Sequence, residues 1–313
     1  MSRLLIKASN PMCLLQDAGR FGVRHLGVTQ GGAADWLSMT WANWLLGNPA
    51  STAVIEITLG GLAVIAQDDC TLALAGADLA ASVEGQALKP WHHFQLKKGQ
   101  TLTFSHPLAG ARAYLAAPGG FVAPQVLGSC ATVVREQLGG PDGFGRALAV
   151  GDELSFATDS SAVREIPLPM QPVFKPNPSL DVVLGAQIGA FSGQSTFDAF
   201  NQPWTLDSRA DRMGIRLQGP ALVYQGAPMI SEGIPLGAIQ VPPDGQPIVL
   251  LNDRQTIGGY PRLGALSPLA LARLAQCLPG ETVHLRPITQ DAAQRQHQAF
   301  MQCNFGRPDL VLS

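Results

Sequence analysis

Three stretches in the first half of the chain return, in the same order, in the second half. GRFGVRHLG (19–27) is echoed by DRMGIRLQG (211–219). Glu56 precedes Asp68 and the run LALA much as Glu232 precedes Asp244 and the run IVLL. KGQTLTF (98–104) is echoed by PGETVHL (279–285). Preserved order at near-constant separation predicts two related units. What lies between the echoes is short strands: LLIKA, AVIEITLGGLAVIA, TLALAG, TLTF, RAYLAA, ELSF, DVVLGA, IRLQG, AIQV and PIVLL. With 34 glycines and 24 prolines to make turns in 313 residues, such strands favour sandwiches or barrels over alternating strand–helix units. The expectation is a mainly β chain of two β-barrel domains, at 1–165 and 175–290, joined by the Pro-rich PLPMQPVFKPNP (167–178).

Three helices interrupt the strands. Residues 32–46 place Leu37, Trp41, Trp44 and Leu45 on one face, and GNP (47–49) ends the run. Residues 267–278 open on Ser267 as N-cap with Pro268 in the first turn, and Leu271, Leu274, Ala275 and Leu278 form the buried face. Residues 289–302 are polar and predict a surface helix within a C-terminal tail, 291–313.

Composition removes several classes of function. Hydrophobic residues make up 46% and charged residues 14%, so a large core is expected and disorder is not. The net charge is −2 with no basic run, which argues against a nucleic-acid or membrane partner. The five cysteines (13, 70, 130, 277 and 303) show no CxxC spacing, so neither a zinc site nor a disulfide framework is expected. No signal-peptide core and no apolar run of membrane-spanning length is present, which predicts a cytoplasmic protein. Walker A, GxGxxG, GxSxG and HExxH patterns are all missing. None of the five lysines lies between methionines, so the chain is not expected to carry biotin.

Three segments set polar residues beside glycine. In QDAGRFGVRHLGVTQGGAADW (16–36), Arg20 and Arg24 can hold an anion, and His25 can move a proton near neutrality. Asp35 at a helix start and an Arg20–Asp17 ion pair would equally be structural. In DSRADRMGIRLQGP (207–220), Asp211 and Arg212 either pair with each other or Arg212 faces a ligand. In LLNDRQTIGGYPRLG (250–264), a strand runs into Asp253, Gln255, Thr256, two glycines and Tyr260, which has the look of a ligand-binding rim rather than a plain hairpin.

Taken together, QDAGRFGVRHLGV, GAAD, ANWLLGN, EITLGG, DRMGIRLQGP and GAIQVPPDGQPIVLLNDRQTIGGYPR make a specific set. It resembles the biotin-dependent carboxyltransferase family of the KipA and allophanate-hydrolase-subunit-2 type, over roughly residues 3–290. The resemblance implies two cyclophilin-like β-barrel domains. It implies the role of the C component in an ATP-dependent 5-oxoprolinase, a hydrolase that opens the lactam of 5-oxoproline to L-glutamate while ATP becomes ADP and phosphate. The implied partners are a KipI-like protein as the B component and a LamB/YcsF-type protein as the A component. Activity only in the complex and ATP as its nucleotide are implied with them; the sequence itself shows no metal site. Two other roles occur among similar proteins: a KipA-like antagonist of a KipI-like kinase inhibitor, and a carboxyltransferase module of urea-carboxylase type.

Carried over by motif, the catalytic candidates are Arg20, His25, Arg212 and Asp253. The substrate-binding candidates are Asp35, Asn43, Glu56, Asp211, Gln255, Thr256, Gly258, Gly259 and Tyr260. On this expectation Arg20 and Arg212 hold carboxylate or phosphate, His25 is the acid/base, and Asp253 and Gln255 orient substrate or partner groups. The chain also departs from the family pattern. Gly31 stands where similar proteins read serine in QSGAMD, Ala210 where they read serine before DRMG, and Cys130 and Ala131 where they read arginine and serine in GSRST. A site built to hydrogen-bond an anion binds it less well without such donors.

Overall fold

A computed structural model describes residues 1–159 and 162–306. The chain divides into two compact units, Met1–Gly22 with Gly31–Phe174, and Val23–Gln30 with Lys175–Ser313. The mainly β expectation holds. The division differs from a simple cut between 165 and 175 at two places. The segment Val23–Gln30 leaves the first unit and packs with the second. The first unit also takes in part of the Pro-rich stretch, through Phe174, whose ring lies 6.1 Å from that of Trp91.

In the first unit two antiparallel sheets enclose one core. One sheet runs in the order Glu153–Phe156, Ser2–Ala8, Leu62–Ala66, Thr101–Phe104, Ser82–Val83, Gln86–Ala87. The other runs Cys13–Gln16, Val54–Thr58, Ala109–Ala116, Cys70–Asp78, His92–Leu96. Leu62, Val64 and Ala66 are buried while Ala63 and Ile65 between them are half-buried, the alternation of a sheet with one core face. Cys70–Asp78 is buried on both faces because helix α1, Trp36–Leu45, covers its outer side.

Helix α1 begins later than the hydrophobic spacing predicts. Asp35 is its N-cap, with Oδ1 accepting from the backbone N–H of Leu37 and Ser38 at 3.1 Å each. The helix is buried on most of its surface, not on one stripe: Met39, Trp41 and Leu45 are fully buried, and the expected face residues Leu37 and Trp44 only half-buried. Each fully buried large side chain contributes roughly 1.5–3 kcal/mol. The Arg164 guanidinium caps the outer side, 5.1 Å over the Trp44 ring.

The second unit is a closed barrel. Its strand order is Ser179–Leu184, Arg262–Leu266, Ala238–Gln240, Ile248–Leu250, Gly214–Gln218, Trp204–Leu206, Thr282–Ile288. Closure is made by the parallel pairing of Ser179–Leu184 with Thr282–Ile288. Residues two apart point inward together: Leu180 and Val182, Trp204 and Leu206, Ile215 and Leu217, Val283 and Leu285. Closing the sheet removes its free edges.

Three helices dress this barrel. Helix α2, Gly193–Asn201, has no periodic signal in the sequence: GQSTFDAFN mixes glycine, serine and threonine, and only Ser195 and Ala199 are buried. Its Ser192 N-cap, accepting from the Ser195 N–H, is the local signal for it. Helix α3, Pro268–Leu274, has the expected Ser267 cap and places Leu271 and Leu274 in the barrel core. Helix α4, Gln290–Phe305, fully buries only Ala293 and Met301. Residues 307–313 of the expected tail lie outside the described residues.

The echo of GRFGVRHLG in DRMGIRLQG does not survive in three dimensions. Gly214–Gln218 is a barrel strand, whereas its counterpart contributes a single turn of 3-10 helix, Arg24–Leu26, closed by Gly27. KGQTLTF and PGETVHL do both lead into strands, Thr101–Phe104 and Thr282–Ile288.

Candidate active site

In the first unit the polar candidates form buried networks. Asp17 ties two segments together, accepting from the backbone N–H of Gly19 at 2.8 Å, the Ser129 hydroxyl at 2.6 Å and the Cys130 N–H at 2.8 Å. Arg20, fully buried, donates from Nε to the Val126 carbonyl at 3.0 Å and from Nη2 to those of Ser129 and Ala131 at 3.3 and 2.7 Å. Its guanidinium therefore braces the 126–131 loop. The departures from the family pattern at 130 and 131 sit in this brace. The Cys130 thiol is pushed up by burial and by Asp17 beside it.

Glu56 and Asp35 meet at Tyr114. The Tyr114 hydroxyl donates to Glu56 Oε2 at 2.8 Å and accepts from the Asp35 backbone N–H at 2.8 Å, while the same Oε2 accepts from the Ala34 N–H at 2.8 Å. Burial first, then the Glu56 carboxylate, holds the Tyr114 phenol well above its ordinary range. Sequence reading named Glu56 and Asp35 but missed Tyr114, whose place is set by the register Tyr114↔Glu56 between neighbouring strands. Asn43 is structural: its amide donates to the Thr52 carbonyl at 2.8 Å and its oxygen accepts from Asn48 at 3.0 Å, fixing the turn after α1.

In the second unit Arg212 pairs with Asp253. Nε donates to Oδ2 at 3.0 Å and Nη2 to Oδ1 at 3.1 Å, a two-pronged clasp. Asp211 instead forms a turn, its Oδ1 accepting from the N–H groups of Met213 and Gly214 at 2.8 and 3.0 Å. Gln255 and Thr256 are half-buried, Gly258 and Gly259 follow them, and Tyr260 is exposed. A Cβ on Gly258 would lie 2.6 Å from Ile234 Cδ1 and 3.0 Å from the Gln240 amide nitrogen, so only glycine leaves both side chains undisturbed there. His25 is exposed on its 3-10 turn.

Arg254 lies inside LLNDRQTIGGYPRLG, but no local signal in the sequence marks its role. Arg254 is buried, donating from Nε to the Ile234 carbonyl at 3.1 Å and from Nη1 to that of Leu251 at 3.2 Å. Arg24 reaches the same Ile234 carbonyl, at 2.7 Å, and that of Thr256 at 3.1 Å. Burial and the neighbouring Arg24 push Arg254 down to about 9. No group of three or more His, Cys, Asp or Glu that could hold a metal occurs among the described residues. No helix among them is long and apolar enough to cross a membrane.

The family model of the carboxyltransferase domain, subdomain A and B, matches residues 26–287. The C subunit of 5-oxoprolinase from Haemophilus influenzae is 38% identical over 285 residues, covering 90% of each chain. That of Escherichia coli is 36% identical over 285 residues, covering 91% of each. The crystal structure of K. lactis urea amidolyase is similar with a TM-score of 0.91 at 24% identity, over 99% of this chain and 20% of that one. That likeness shows the fold, and this chain spans about a fifth of that much longer protein.

Proposed function

The chain belongs to the carboxyltransferase family of subdomains A and B, and on that premise we propose that it is the C subunit of an ATP-dependent 5-oxoprolinase. In this reading it acts with a KipI-like partner and a LamB/YcsF-type partner to open the lactam of 5-oxoproline to L-glutamate. ATP is consumed by the assembled enzyme. The observation that carries the reading is the 38% identity to a 5-oxoprolinase C subunit over 90% of both chains.

The chemistry of the site is compatible with it. A lactam is a poor electrophile, and its opening is helped by fixed donors where negative charge grows on the carbonyl oxygen. In this reading the guanidinium groups of Arg24, Arg254 and Arg212, oriented by main-chain carbonyls and by Asp253, supply such donors from their remaining N–H groups. Asp253 keeps the Arg212 fork in one orientation, so the donor is positioned before substrate arrives.

Reconstitution tests the proposal. The chain, mixed with its KipI-like and LamB/YcsF-type partners, ATP and 5-oxo-L-proline, is expected to release glutamate only when all components are present. An intact complex that releases none overturns it and favours a binding role such as sequestration of the KipI-like partner.

A further inference from the structure

The second unit gives most of its described arginines a carboxylate. Arg209 pairs with Asp207, Arg212 with Asp253, Arg216 with Asp244, Arg262 with Glu232 and Arg286 with Asp181, although Arg209 and Arg286 are largely exposed. Arg254, only 2% exposed, and the half-buried Arg24 break the pattern. Both converge on the Ile234 carbonyl, and among the described residues neither has a carboxylate partner. The Arg24 Nη1 is buried and has no acceptor among the described residues. Desolvating two like charges side by side is unfavourable, and neutral carbonyls offset it only in part.

A third donor stands in the same neighbourhood. Gln240 is 3% exposed, and its amide nitrogen is also buried without an acceptor among the described residues. It lies 3.0 Å from the point where a Cβ on Gly258 would be, and Ile234 Cδ1 lies 2.6 Å from that point. Ile234 is thus shared: its carbonyl carries both arginines, and its side chain borders the Gln240 amide. Two buried donors, the Arg24 Nη1 and the Gln240 amide nitrogen, have no acceptor among the described residues, and the two guanidinium groups rest on neutral carbonyls.

We propose that Arg24 and Arg254 form a binding site for the carboxylate of a small molecule, and that the Gln240 amide, which borders the side chain of the shared Ile234, contributes to it. A carboxylate supplies what the cluster lacks: one negative charge and two planar oxygens for donors that have no acceptor. The choice of 5-oxoproline as the molecule, its carboxylate on the arginines and its lactam toward the amide, rests on the function proposed above; the carboxylate site itself does not.

Calorimetric titration of the whole chain tests this with three probes: 5-oxo-L-proline, 2-pyrrolidinone, which has the lactam without the carboxylate, and inorganic phosphate. The first is expected to bind, and 2-pyrrolidinone about tenfold or more weakly, the factor a lost charge-assisted hydrogen bond produces. Arg24→Gln is expected to weaken 5-oxo-L-proline by a similar factor while leaving the unliganded chain as stable as before or more so, because it removes an unbalanced cation. Arg254→Lys keeps the charge but not the fork, and should weaken binding in a chain that still folds. Equal affinity for 5-oxo-L-proline and 2-pyrrolidinone, no binding of 5-oxo-L-proline at millimolar concentration, or unchanged affinity in Arg24→Gln overturns the site. Phosphate bound more tightly than 5-oxo-L-proline, and lost in Arg24→Gln, overturns its assignment to carboxylate. The two proposals separate cleanly. Arg24-dependent carboxylate binding without glutamate release in the complex sinks the function and keeps the site. Glutamate release with an unchanged KM in Arg24→Gln does the reverse.

Discussion

Arg212 and Asp253 hold each other by side chain and main chain at once: the guanidinium clasps the carboxylate through bonds of 3.0 and 3.1 Å, and the Asp253 N–H donates to the Arg212 carbonyl at 2.9 Å. The side chains are only 14% and 9% exposed. Removing one partner breaks both prongs of the clasp in a poorly solvated place. Asp253→Ala is therefore expected to cost about 3 kcal/mol, read as a lower urea midpoint of the full chain. The double variant with Arg212→Ala should lose less than the sum of the single ones, by about 1–3 kcal/mol. Strict additivity would mean that the clasp contributes nothing of its own.

The Tyr114 hydroxyl predicts an alkaline limit to stability. Glu56 accepts its proton, the Asp35 N–H donates to its oxygen, and the charges facing it are Glu56, Asp35 and Arg112. The folded chain keeps the phenol protonated beyond the pH, about 10, at which an unfolded tyrosine ionises. The contribution is thus complete below about pH 10 and is lost as pH rises through the raised folded value. Tyr114→Phe should lower stability at pH 7 by about 1–3 kcal/mol, since buried Glu56 loses a donor, and should flatten the decline above pH 10. Denaturation midpoints across pH 7–11 measure both. A variant that declines as steeply as the parent would place the alkaline-sensitive group elsewhere.

These two pairs show what the sequence makes legible. Strand periodicity, the Ser267 cap and the β class are local properties, and local residues state them. Asp35 stood out at a helix start and Asp253 at a strand end, while Glu56 came as a site candidate only through the motif resemblance. Tyr114 and Arg254 did not, because each owes its role to a residue distant in sequence: Tyr114 to strand register with Glu56, Arg254 to a carbonyl it shares with Arg24. The echo of GRFGVRHLG in DRMGIRLQG misled for the same reason. Similar residues became a barrel strand in one place and a turn packed with the other unit in the second, since tertiary contacts decide between them.

Gly31 can be tested against the family pattern, which has serine there. Its φ is +66°, and an added Cβ would lie 2.8 Å from Val133 Cγ2. A serine must accept the left-handed backbone and displace Val133. Gly31→Ser is expected to destabilise by about 1–3 kcal/mol, and Val133→Ala in the same chain should return the steric part and leave the backbone part. A Gly31→Ser chain as stable as the parent would show that the loop carrying Val133 yields without cost.

Gly258 offers a way to disturb the arginine pair without touching an arginine. Its backbone is not in the left-handed region, so alanine costs only space. The new methyl would lie 2.6 Å from Ile234 Cδ1 and 3.0 Å from the Gln240 amide nitrogen, and both are ends of side chains that can turn aside. Gly258→Ala should therefore cost about 1 kcal/mol in stability. The same methyl moves the Gln240 donor and the residue whose carbonyl holds Arg24 and Arg254 together. Affinity for 5-oxo-L-proline should fall severalfold in calorimetry, while that for 2-pyrrolidinone, which lacks the carboxylate, should change less. If both probes bind as they do to the parent chain, Gly258 shapes the rim alone and the carboxylate is held without the Gln240 amide.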